Sequence, residues 1–216
     1  MAEPGAPGRF ITLEGGEGAG KSTQARRLGA WLGERGIDCL LTREPGGSPG
    51  AEDIRTLLVT GEPGRWDAVT EALLMNAARR DHVVRTIRPA LAAGKWVICD
   101  RFFDSTLAYQ GYAGGVPLAT LRALIDAAVE DTRPSLTLIL DLSPETGLGR
   151  AQGGGLGTET RFERKGTAFH AAVRDGFRAV VAEEPDRCAV VDAGGSADEV
   201  AAAIAETVSR RLGVAA

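Results

Sequence analysis

Long hydrophobic runs and paired cysteines are both absent from this sequence of 216 residues. No stretch of about 18 apolar residues occurs, which excludes a transmembrane helix, and residues 1–8 have neither the basic nor the apolar region of a signal peptide. The three cysteines, Cys39, Cys99 and Cys188, form no CxxC pair, so they predict neither a disulfide framework nor a zinc site. We therefore expect a cytoplasmic protein with no membrane partner.

Basic charge is also scarce, and most of it is arginine. Against 29 acidic side chains there are 25 basic ones, so the formal net charge is −4, and no basic stripe indicates a nucleic-acid partner. Only Lys21, Lys95 and Lys165 are lysines, which makes each lysine a candidate for a specific role. The 44% hydrophobic residues predict a globular protein. We expect a single domain over residues 9–216, after a disordered N-terminus at 1–8.

Five short apolar runs alternate with longer helical patterns. Each run is nearly continuous in Ile, Val and Leu, which is typical of parallel strands covered on both faces. The pattern predicts an α/β fold, a five-stranded parallel sheet with helices on both faces. The predicted strands are residues 9–14, 38–42, 96–100, 136–142 and 187–192.

The longest helical pattern covers residues 67–88. Its periodicity places Leu73, Ala77 and Val84 on the inward face. Pro89 follows directly, and proline ends or kinks a helix because it lacks an N–H and crowds the preceding turn. We therefore predict that this helix ends or kinks at Pro89.

Two further segments have clear local signals. Ser196 and Glu199 form the pattern of a capping box ahead of an apolar helix. Residues 151–160 have neither periodicity nor apolar mass, which predicts a mobile loop bounded by helices. We expect a lid at about 150–165.

The strongest motif follows the first predicted strand. The sequence GGEGAGKS matches GxxxxGK[ST] in a strand, loop and helix context, the pattern of a P-loop. Glycines let backbone N–H groups converge on phosphate oxygens, Lys21 reaches the β and γ phosphates from a solvent-facing position, and Ser22 is a ligand for Mg²⁺. The predicted nucleotide-binding residues are Gly15, Gly16, Glu17, Gly18, Ala19, Gly20, Lys21, Ser22 and Thr23.

A P-loop alone leaves several classes of protein open. A switch GTPase needs an NKxD-type guanine-binding motif, which is absent, and a motor or transporter ATPase needs a longer chain. A small-molecule kinase needs a second pocket, one that binds the anionic phosphate of the acceptor. Arg43, Arg79 and Arg101 supply it, at or near the carboxyl ends of predicted strands, where open α/β sheets bind ligands.

Four segments in order, FITLEGGEGAGKST, LTREPGGSP, ICDRFFDSTLAYQG and RPSLTLILDLSPE, resemble bacterial thymidylate kinases. The resemblance implies a P-loop nucleoside monophosphate kinase fold that transfers the γ-phosphate of ATP to dTMP, giving dTDP. It also implies Mg²⁺ and a homodimer.

The same resemblance assigns roles to site residues. Glu17 faces the acceptor deoxyribose, Arg101 lies between the donor and acceptor phosphates, and Asp100 holds Mg²⁺ through water. Arg79 reads the thymine edge, and Tyr109 packs near sugar C2′. The remaining acceptor contacts that it implies are Arg43, Pro45, Arg55, Ser105, Thr106 and Gln110.

Two positions depart from the family pattern. The lid keeps few arginines, and we predict that Arg150 or Arg161 contacts the transition state, with Arg164 or Lys165 next in order. Met75 stands where the family commonly has a phenylalanine stacked on thymine. One helical turn before Arg79, it either lies against the base or fills the core.

Two alternatives to dTMP phosphorylation stay open at this point. One is a kinase of another monophosphate, such as dUMP, dCMP or a modified deoxynucleotide. The other is a nucleotide-binding regulator without turnover, which the arginine-poor lid suggests.

Overall fold

The apolar runs form one parallel sheet in this computed structural model, which describes residues 8–62, 64–153 and 165–215. The strand order is β2-β3-β1-β4-β5, and every neighbouring pair is parallel. The predicted α/β sheet is confirmed, and each strand lies within one residue of its expected bounds. The strands are β1 (Phe10–Gly15), β2 (Cys39–Arg43), β3 (Trp96–Asp100), β4 (Leu136–Asp141) and β5 (Cys188–Asp192).

Helices cover both faces of the sheet. On one face Leu28 and Ile204 are buried against the central strands, and on the other Phe102 and Ile125 are. Burial of each such side chain contributes about 1.5–3 kcal/mol to the free energy of folding. The α-helices are α1 (Lys21–Gly33), α2 (Pro49–Val59), α3 (Ala68–His82), α4 (Arg88–Ala92), α5 (Phe103–Thr106), α6 (Leu118–Val129), α7 (Pro144–Gly153), α8 (Thr167–Glu183) and α9 (Ala197–Leu212); Val83–Ile87 and Leu107–Tyr112 are π-helical.

The two edge strands are less covered than their composition predicts. Leu41 on β2 and Val190 on β5 are among the exposed large apolar side chains. Both are edge strands, with a neighbour on one side only, and their residues are only partly buried, in contrast to β1 and β4. The expectation that all five strands are covered on both faces was therefore wrong for β2 and β5.

The inward face of α3 differs from the one that periodicity predicts. Leu73, Ala77 and Val84 were expected inside, but all three are exposed. The buried face carries polar side chains instead, Asn76 and Arg79 among them. These polar groups satisfy one another by hydrogen bonding, so the apolar periodicity marked the solvent face of the helix.

Pro89 was predicted to end or kink the helix, but it does not end the helical segment, because the chain changes its hydrogen-bond spacing first. In the π-helical turn Val83–Ile87 the N–H of Arg88 donates to the carbonyl of Val83, five residues back. Pro89 then occupies the first turn of α4, where a missing N–H costs nothing. Helical structure consequently continues to Ala92.

The remaining local predictions have mixed outcomes. The capping box is confirmed, since Ser196 Oγ accepts from the N–H of Glu199 and Glu199 Oε2 accepts from the N–H of Ser196. Helix α7 extends to Gly153, so residues 151–153, expected in a loop, are helical. The rest of the predicted lid, 154–164, and the N-terminal residues 1–7 lie outside the described residues. No helix in the described ranges has the length and apolarity to cross a bilayer.

Candidate active site

The P-loop lies where the order of the strands changes direction. β1 pairs with β3 on one side and with β4 on the other, and residues 16–20 lead from its carboxyl end into α1. Open α/β sheets bind ligands at this kind of switch point. A cavity of about 470 Å³ opens at this edge of the sheet.

Most of the predicted site residues line this one cavity. They come from the P-loop, the loop after β2, α2, α3 and the segment that follows β3. Gly15, Gly16, Ala19 and Arg150 are not among its lining residues, whereas Glu44, Val59 and Phe102 line it without having been predicted. The predicted residues in the wall are Glu17, Gly18, Gly20, Lys21, Ser22, Thr23, Arg43, Pro45, Arg55, Met75, Arg79, Asp100, Arg101, Ser105, Thr106, Tyr109 and Gln110.

Lys21 is buried, which contradicts its predicted solvent-facing position. Only 7% of the residue is exposed, and its Nζ donates to the carbonyls of Gly15 and Gly16, at 3.2 and 2.7 Å. Burial, together with the nearby charge of Arg101, lowers the pKa of Lys21 to about 8. The loop folds back over the ammonium group and holds it at the cavity wall.

The tight P-loop also packs against helix α7. Gly18 has a positive φ of 67°, and a Cβ there would lie 1.9 Å from the carbonyl oxygen of Gly147. Any side chain at this position would push α7 away from the loop, so glycine is required.

Glu17, Arg101 and Tyr109 form a polar cluster in the cavity wall. Arg101 Nη2 lies 2.9 Å from Glu17 Oε1, and the hydroxyl of Tyr109 donates to the same oxygen at 2.9 Å. The guanidinium of Arg101 also lies over the Tyr109 ring, 5.1 Å from its centroid. Burial alone raises the pKa of Glu17, but the cations Arg101 and Lys21 outweigh it and hold the pKa at about 2. Glu17 is therefore a carboxylate at every physiological pH.

A second carboxyl group, Glu14, supports this cluster from inside the sheet. It is fully buried at the end of β1 and accepts from the backbone N–H groups of Phe102 and Ser105, at 2.7 and 3.3 Å, and from the Ser105 hydroxyl. Burial, with the charge of Asp104, raises the pKa of Glu14 to about 8. These bonds fix the loop after β3 in which Arg101 takes a left-handed φ of 69°.

Ser105, predicted to face the base, turns largely toward the protein. Besides its bonds to Glu14, its hydroxyl accepts from Arg101 Nη1 at 3.2 Å. Ser105 lines the cavity, but its contacts link Glu14 to Arg101.

Ser22 and Asp100 meet at the donor end of the cavity. The hydroxyl of Ser22 donates to Asp100 Oδ2, and Asp100 stands at the carboxyl end of β3. One hydroxyl and one carboxylate beside a phosphate-binding loop are the oxygen donors that Mg²⁺ prefers. No cluster of three or more acidic, histidine or cysteine side chains suited to a resident metal occurs in the described part of the chain.

Arg79 also lines the cavity and is almost entirely buried. Its Nε donates to Glu44 at 2.8 Å, Nη1 to Asn76 at 2.8 Å, and Nη2 to both the carbonyl of Phe102 and the hydroxyl of Thr106. Among the residues that the structure describes, one Nη1 hydrogen of Arg79 meets no acceptor. The guanidinium is rigidly held, and that hydrogen is available to a ligand.

Met75 combines the two positions that were considered for it. It lines the cavity one turn before Arg79, and it is partly buried against the cluster that contains Tyr109 and Phe177. Its thioether is therefore a wall of the cavity that rests on the core.

The two arginines from the β2 side hold their own loop. Arg43 pairs with both oxygens of Glu52 at 3.1 Å. Arg55 donates to the carbonyl of Pro45 at 2.6 Å; burial, followed by the charge of Arg43, lowers the pKa of Arg55. Both arginines line the cavity, so an anionic ligand would meet two positive charges there.

Arg150 is the predicted catalytic residue, among those that the structure describes, that does not line the cavity. Its guanidinium donates to the carbonyls of Ala193 and Gly194, at 2.9 and 3.1 Å, beyond the end of β5. Arg161 and Arg164 lie outside the described residues, and a catalytic role for Arg150 or Arg161 stays a prediction.

Sequence reasoning missed three buried acidic residues, of which Glu44 lines the cavity and Glu14 and Glu71 lie behind its wall. Glu14, Glu44 and Glu71 are buried, and each accepts hydrogen bonds from a cavity residue: Ser105, Arg79 and Gln110, respectively. Glu44 belongs to the LTREPGGSP segment that carries the family resemblance. Its position in that segment, beside Arg43, was the signal that could have indicated a buried partner for an arginine. Nothing in the sequence around Glu71 distinguishes it from an ordinary surface acid of a helix.

Comparisons with known proteins point to one family. A family model described as Thymidylate kinase matches residues 13–204. A thymidylate kinase from Caulobacter vibrioides is 56% identical over 207 residues, covering 96% of this chain and 99% of the relative. One from Rhizorhabdus wittichii is 51% identical over 206 residues, with 95% and 99% covered.

A solved structure gives the same similarity in three dimensions. The crystal structure of thymidylate kinase from Ehrlichia chaffeensis superposes with a TM-score of 0.75 at 35% sequence identity. The match covers 94% of this chain and 99% of that one.

Proposed function

Because the chain belongs to the thymidylate kinase family, we infer that it transfers the γ-phosphoryl group of ATP to dTMP, giving dTDP and ADP. Membership of this family implies the class of reaction, an ATP-dependent phosphotransfer to a nucleoside monophosphate. One observation carries the assignment to this chain: a single cavity is lined both by the P-loop and by a buried, donor-bearing arginine, Arg79.

Four cations in the cavity wall suit two phosphorylated substrates. We assign Lys21 of the P-loop to the donor, Arg43 and Arg55 to the acceptor, and Arg101 to the space between the two. Phosphoryl transfer is accelerated mainly by alignment and by cations placed where charge spreads over the moving group. Arg101, fixed by Glu17 and by the carbonyl of Gly15 at 3.0 Å, is the cation we assign between the two phosphates.

Tyr109 and Glu17 form the wall that we assign to the acceptor sugar. The Tyr109 ring is 6% exposed, and its hydroxyl is bound to Glu17, so the ring is held in one position. A rigid ring beside sugar C2′ leaves no room for a ribose hydroxyl, which favours a deoxynucleotide acceptor.

Mg²⁺ fits the oxygen donors at the donor end. Ser22 would hold the ion directly and Asp100 through water, and a bound Mg²⁺ would neutralise charge on the ATP phosphates. The hydrogen bond that now joins these two side chains supports the pairing. We further propose that residues 9–216 form one kinase domain with a lid at about 150–165, which supplies Arg161 or Arg150 to the phosphates.

A homodimer is proposed through the exposed face of α3. Val69, Leu73 and Ala77 follow one another at intervals of four residues, which makes them one ridge on the helix, and all three are exposed. A contiguous apolar ridge on a globular surface is typical of a protein interface. We propose a second copy as its occupant because a self-complementary ridge packs against itself about a two-fold axis.

Leu73→Glu is expected to convert the dimer to a monomer. The substitution places a charge at the middle of the ridge, where burial against the partner copy would leave it unpaired. Light scattering coupled to size-exclusion chromatography gives the mass of the variant and of the wild type. Val190→Glu is the matched control, because Val190 is 50% exposed, close to the 51% of Leu73, but lies on edge strand β5. A wild-type monomer, or a dimeric Leu73→Glu, would contradict the proposed interface.

Met75→Phe is expected to lower KM for dTMP by no more than about tenfold and to leave KM for ATP unchanged. A thioether against a base contributes about 0.3–1.5 kcal/mol, whereas a stacked ring contributes about 1–3 kcal/mol, so the gain is limited to the difference. Initial-rate measurements of both KM values check this. An unchanged KM for dTMP with a lower melting temperature would show that the ring overpacks the core cluster instead.

A panel of acceptors tests the proposed function. The protein is incubated with ATP and Mg²⁺ and with dTMP, dUMP, dCMP, dGMP or dAMP in turn, and ADP release is followed. Release that depends on dTMP is expected. Another preferred acceptor would point to a kinase of a different monophosphate, and binding without release would point to a regulator.

The three free cysteines in the described chain support our further proposal of a cytoplasmic location.

A further inference from the structure

Glu71 lies behind the acceptor end of the cavity and contacts a residue that lines it. This α3 residue is 2% exposed, and its Oε2 accepts a hydrogen bond from Gln110 Nε2 at 3.1 Å. Lys165 Nζ lies 3.9 Å from the same oxygen. Gln110 is itself 2% exposed and belongs to the cavity wall.

The chemistry of this contact fixes the orientation of the Gln110 amide. In this hydrogen bond the Gln110 NH₂ group is the donor and Glu71 Oε2 is the acceptor, so the amide turns its NH₂ group to Glu71. Its oxygen, Oε1, accepts no hydrogen bond from any residue in the described ranges. We infer that Gln110 presents its amide oxygen, an acceptor, to the cavity. A glutamine whose amide is not fixed can present either its oxygen or its NH₂ group.

Arg79 presents the opposite kind of group at the same end of the cavity. It can only donate, and four of its hydrogen bonds go to Glu44, Asn76, the Phe102 carbonyl and Thr106, which leaves an Nη1 hydrogen for a ligand. Glu44 and Asn76 are buried, so the guanidinium cannot rotate away. One fixed donor and one fixed acceptor result.

This pair of groups distinguishes two kinds of pyrimidine. Thymine and uracil carry an acceptor at O4 and a donor at N3, which complement an arginine N–H and an amide oxygen. Cytosine carries an amino donor at C4 and an acceptor at N3, so both contacts would be between like groups. Unpaired polar groups in a buried site are strongly rejected.

We propose that Glu71 determines the base specificity of this site, as a positioning residue that holds the oxygen of Gln110 toward the acceptor base. The proposal rests on the proposed function, since it explains how dTMP is preferred to dCMP. Glu71 touches no substrate, and its effect passes through the orientation of one amide.

Glu71→Gln tests the proposal, because the new amide can pair with Gln110 in either orientation. We expect kcat/KM for dTMP relative to dCMP to fall by about tenfold or more, the value of one well-placed hydrogen bond. The ratio of dTMP to dUMP should stay within twofold, since both bases have the same N3 and O4 edge. KM for ATP should not change. Glu183→Gln is the control for loss of one carboxylate, because Glu183 is exposed at the end of α8 and pairs with Arg122.

A double-mutant cycle with Gln110→Leu separates positioning from a merely structural effect. Gln110→Leu replaces a buried amide by an apolar side chain of similar size. Alone, it should lower the ratio of kcat/KM for dTMP to kcat/KM for dCMP at least as much as Glu71→Gln does. When Glu71→Gln is added to the Gln110→Leu variant, the ratio should fall no further, because the amide through which Glu71 acts is absent. Melting temperatures of all variants confirm that folded proteins are compared.

The outcomes separate this proposal from the proposed function. A wild-type protein that prefers dTMP, combined with equal losses for dTMP, dUMP and dCMP in Glu71→Gln, would overturn the role of Glu71 alone. An unchanged ratio in Gln110→Leu would do the same, even if Glu71→Gln did not fold. A wild-type protein that prefers dCMP would contradict the proposed function and this inference together.

Discussion

Lys21→Ala is expected to lower kcat by about 10³-fold or more, with the fold retained. The ammonium group is the one lysine charge in the cavity wall, and a positioned cation that meets the transferring phosphate contributes on this scale. Its hydrogen bonds go to two carbonyls of its own loop, and Arg101 also donates to the carbonyl of Gly15. The loop therefore keeps one of its supports. Steady-state rates with ATP, Mg²⁺ and dTMP, together with circular dichroism, measure both effects.

Two variants serve as comparisons for Lys21. Lys95→Ala removes an exposed lysine that pairs with Asp38, far from the cavity, and should leave turnover unchanged. Lys21→Arg keeps the positive charge but replaces a compact ammonium by a planar fork that does not fit under the loop, so it should stay strongly impaired. Turnover of Lys21→Ala within tenfold of the wild type, with an unchanged spectrum, would remove Lys21 from the mechanism.

Arg101→Ala is expected to lower kcat by about 10² to 10³, because one preorganised charge contact between the two phosphates is lost. The substitution also leaves Glu17 without its nearest cation. In the wild type Arg101 and Lys21 hold the pKa of Glu17 at about 2 against the effect of burial, so Glu17 adds no acidic limb to the pH profile above about pH 4. Without Arg101 the pKa of Glu17 rises, and activity should decline as the pH falls toward it.

The pH profile of kcat/KM distinguishes this effect from general damage. Arg122→Ala, which removes an exposed arginine paired with Glu183, is the matched control and should keep the wild-type profile. Arg101→Lys should recover part of kcat and all of the acid tolerance, since it restores a cation beside Glu17. An Arg101→Ala protein with near wild-type kcat, or with a lower kcat but no acidic shift, would contradict the assigned role.

The fold was predictable because its signals are local and apolar. The strands are apolar runs rich in Ile, Val and Leu, and the P-loop glycines and the Ser196 capping box require specific backbone geometry at fixed spacings. The prediction failed where polar groups occupy the interior. The buried face of α3 holds Asn76 and Arg79, whose partner Glu44 lies 35 residues away, and no periodicity in one segment shows such a contact.

The site was predictable as a set of residues, but not as a network. Motif matches named the residues that line the cavity, because substrate contacts impose residue types at fixed positions. The buried acids behind them follow from packing between elements: Glu14 holds Ser105, and Glu71 holds Gln110. Lys21 shows the same limit, since the carbonyls that enclose it are contributed by backbone, which carries no sequence signal.

A competition assay tests the central assignment most directly. Equal concentrations of dTMP, dUMP, dCMP and TMP with a ribose sugar are mixed with the protein, ATP and Mg²⁺, and the diphosphates formed are quantified by mass spectrometry at low conversion. The thymine edge, read by Arg79 and Gln110, and the sugar wall at Tyr109 predict that dTDP is the dominant product and that the ribose and cytosine diphosphates are nearly absent. A mixture of products in proportion to the acceptors, or a dominant product other than dTDP, would contradict the account.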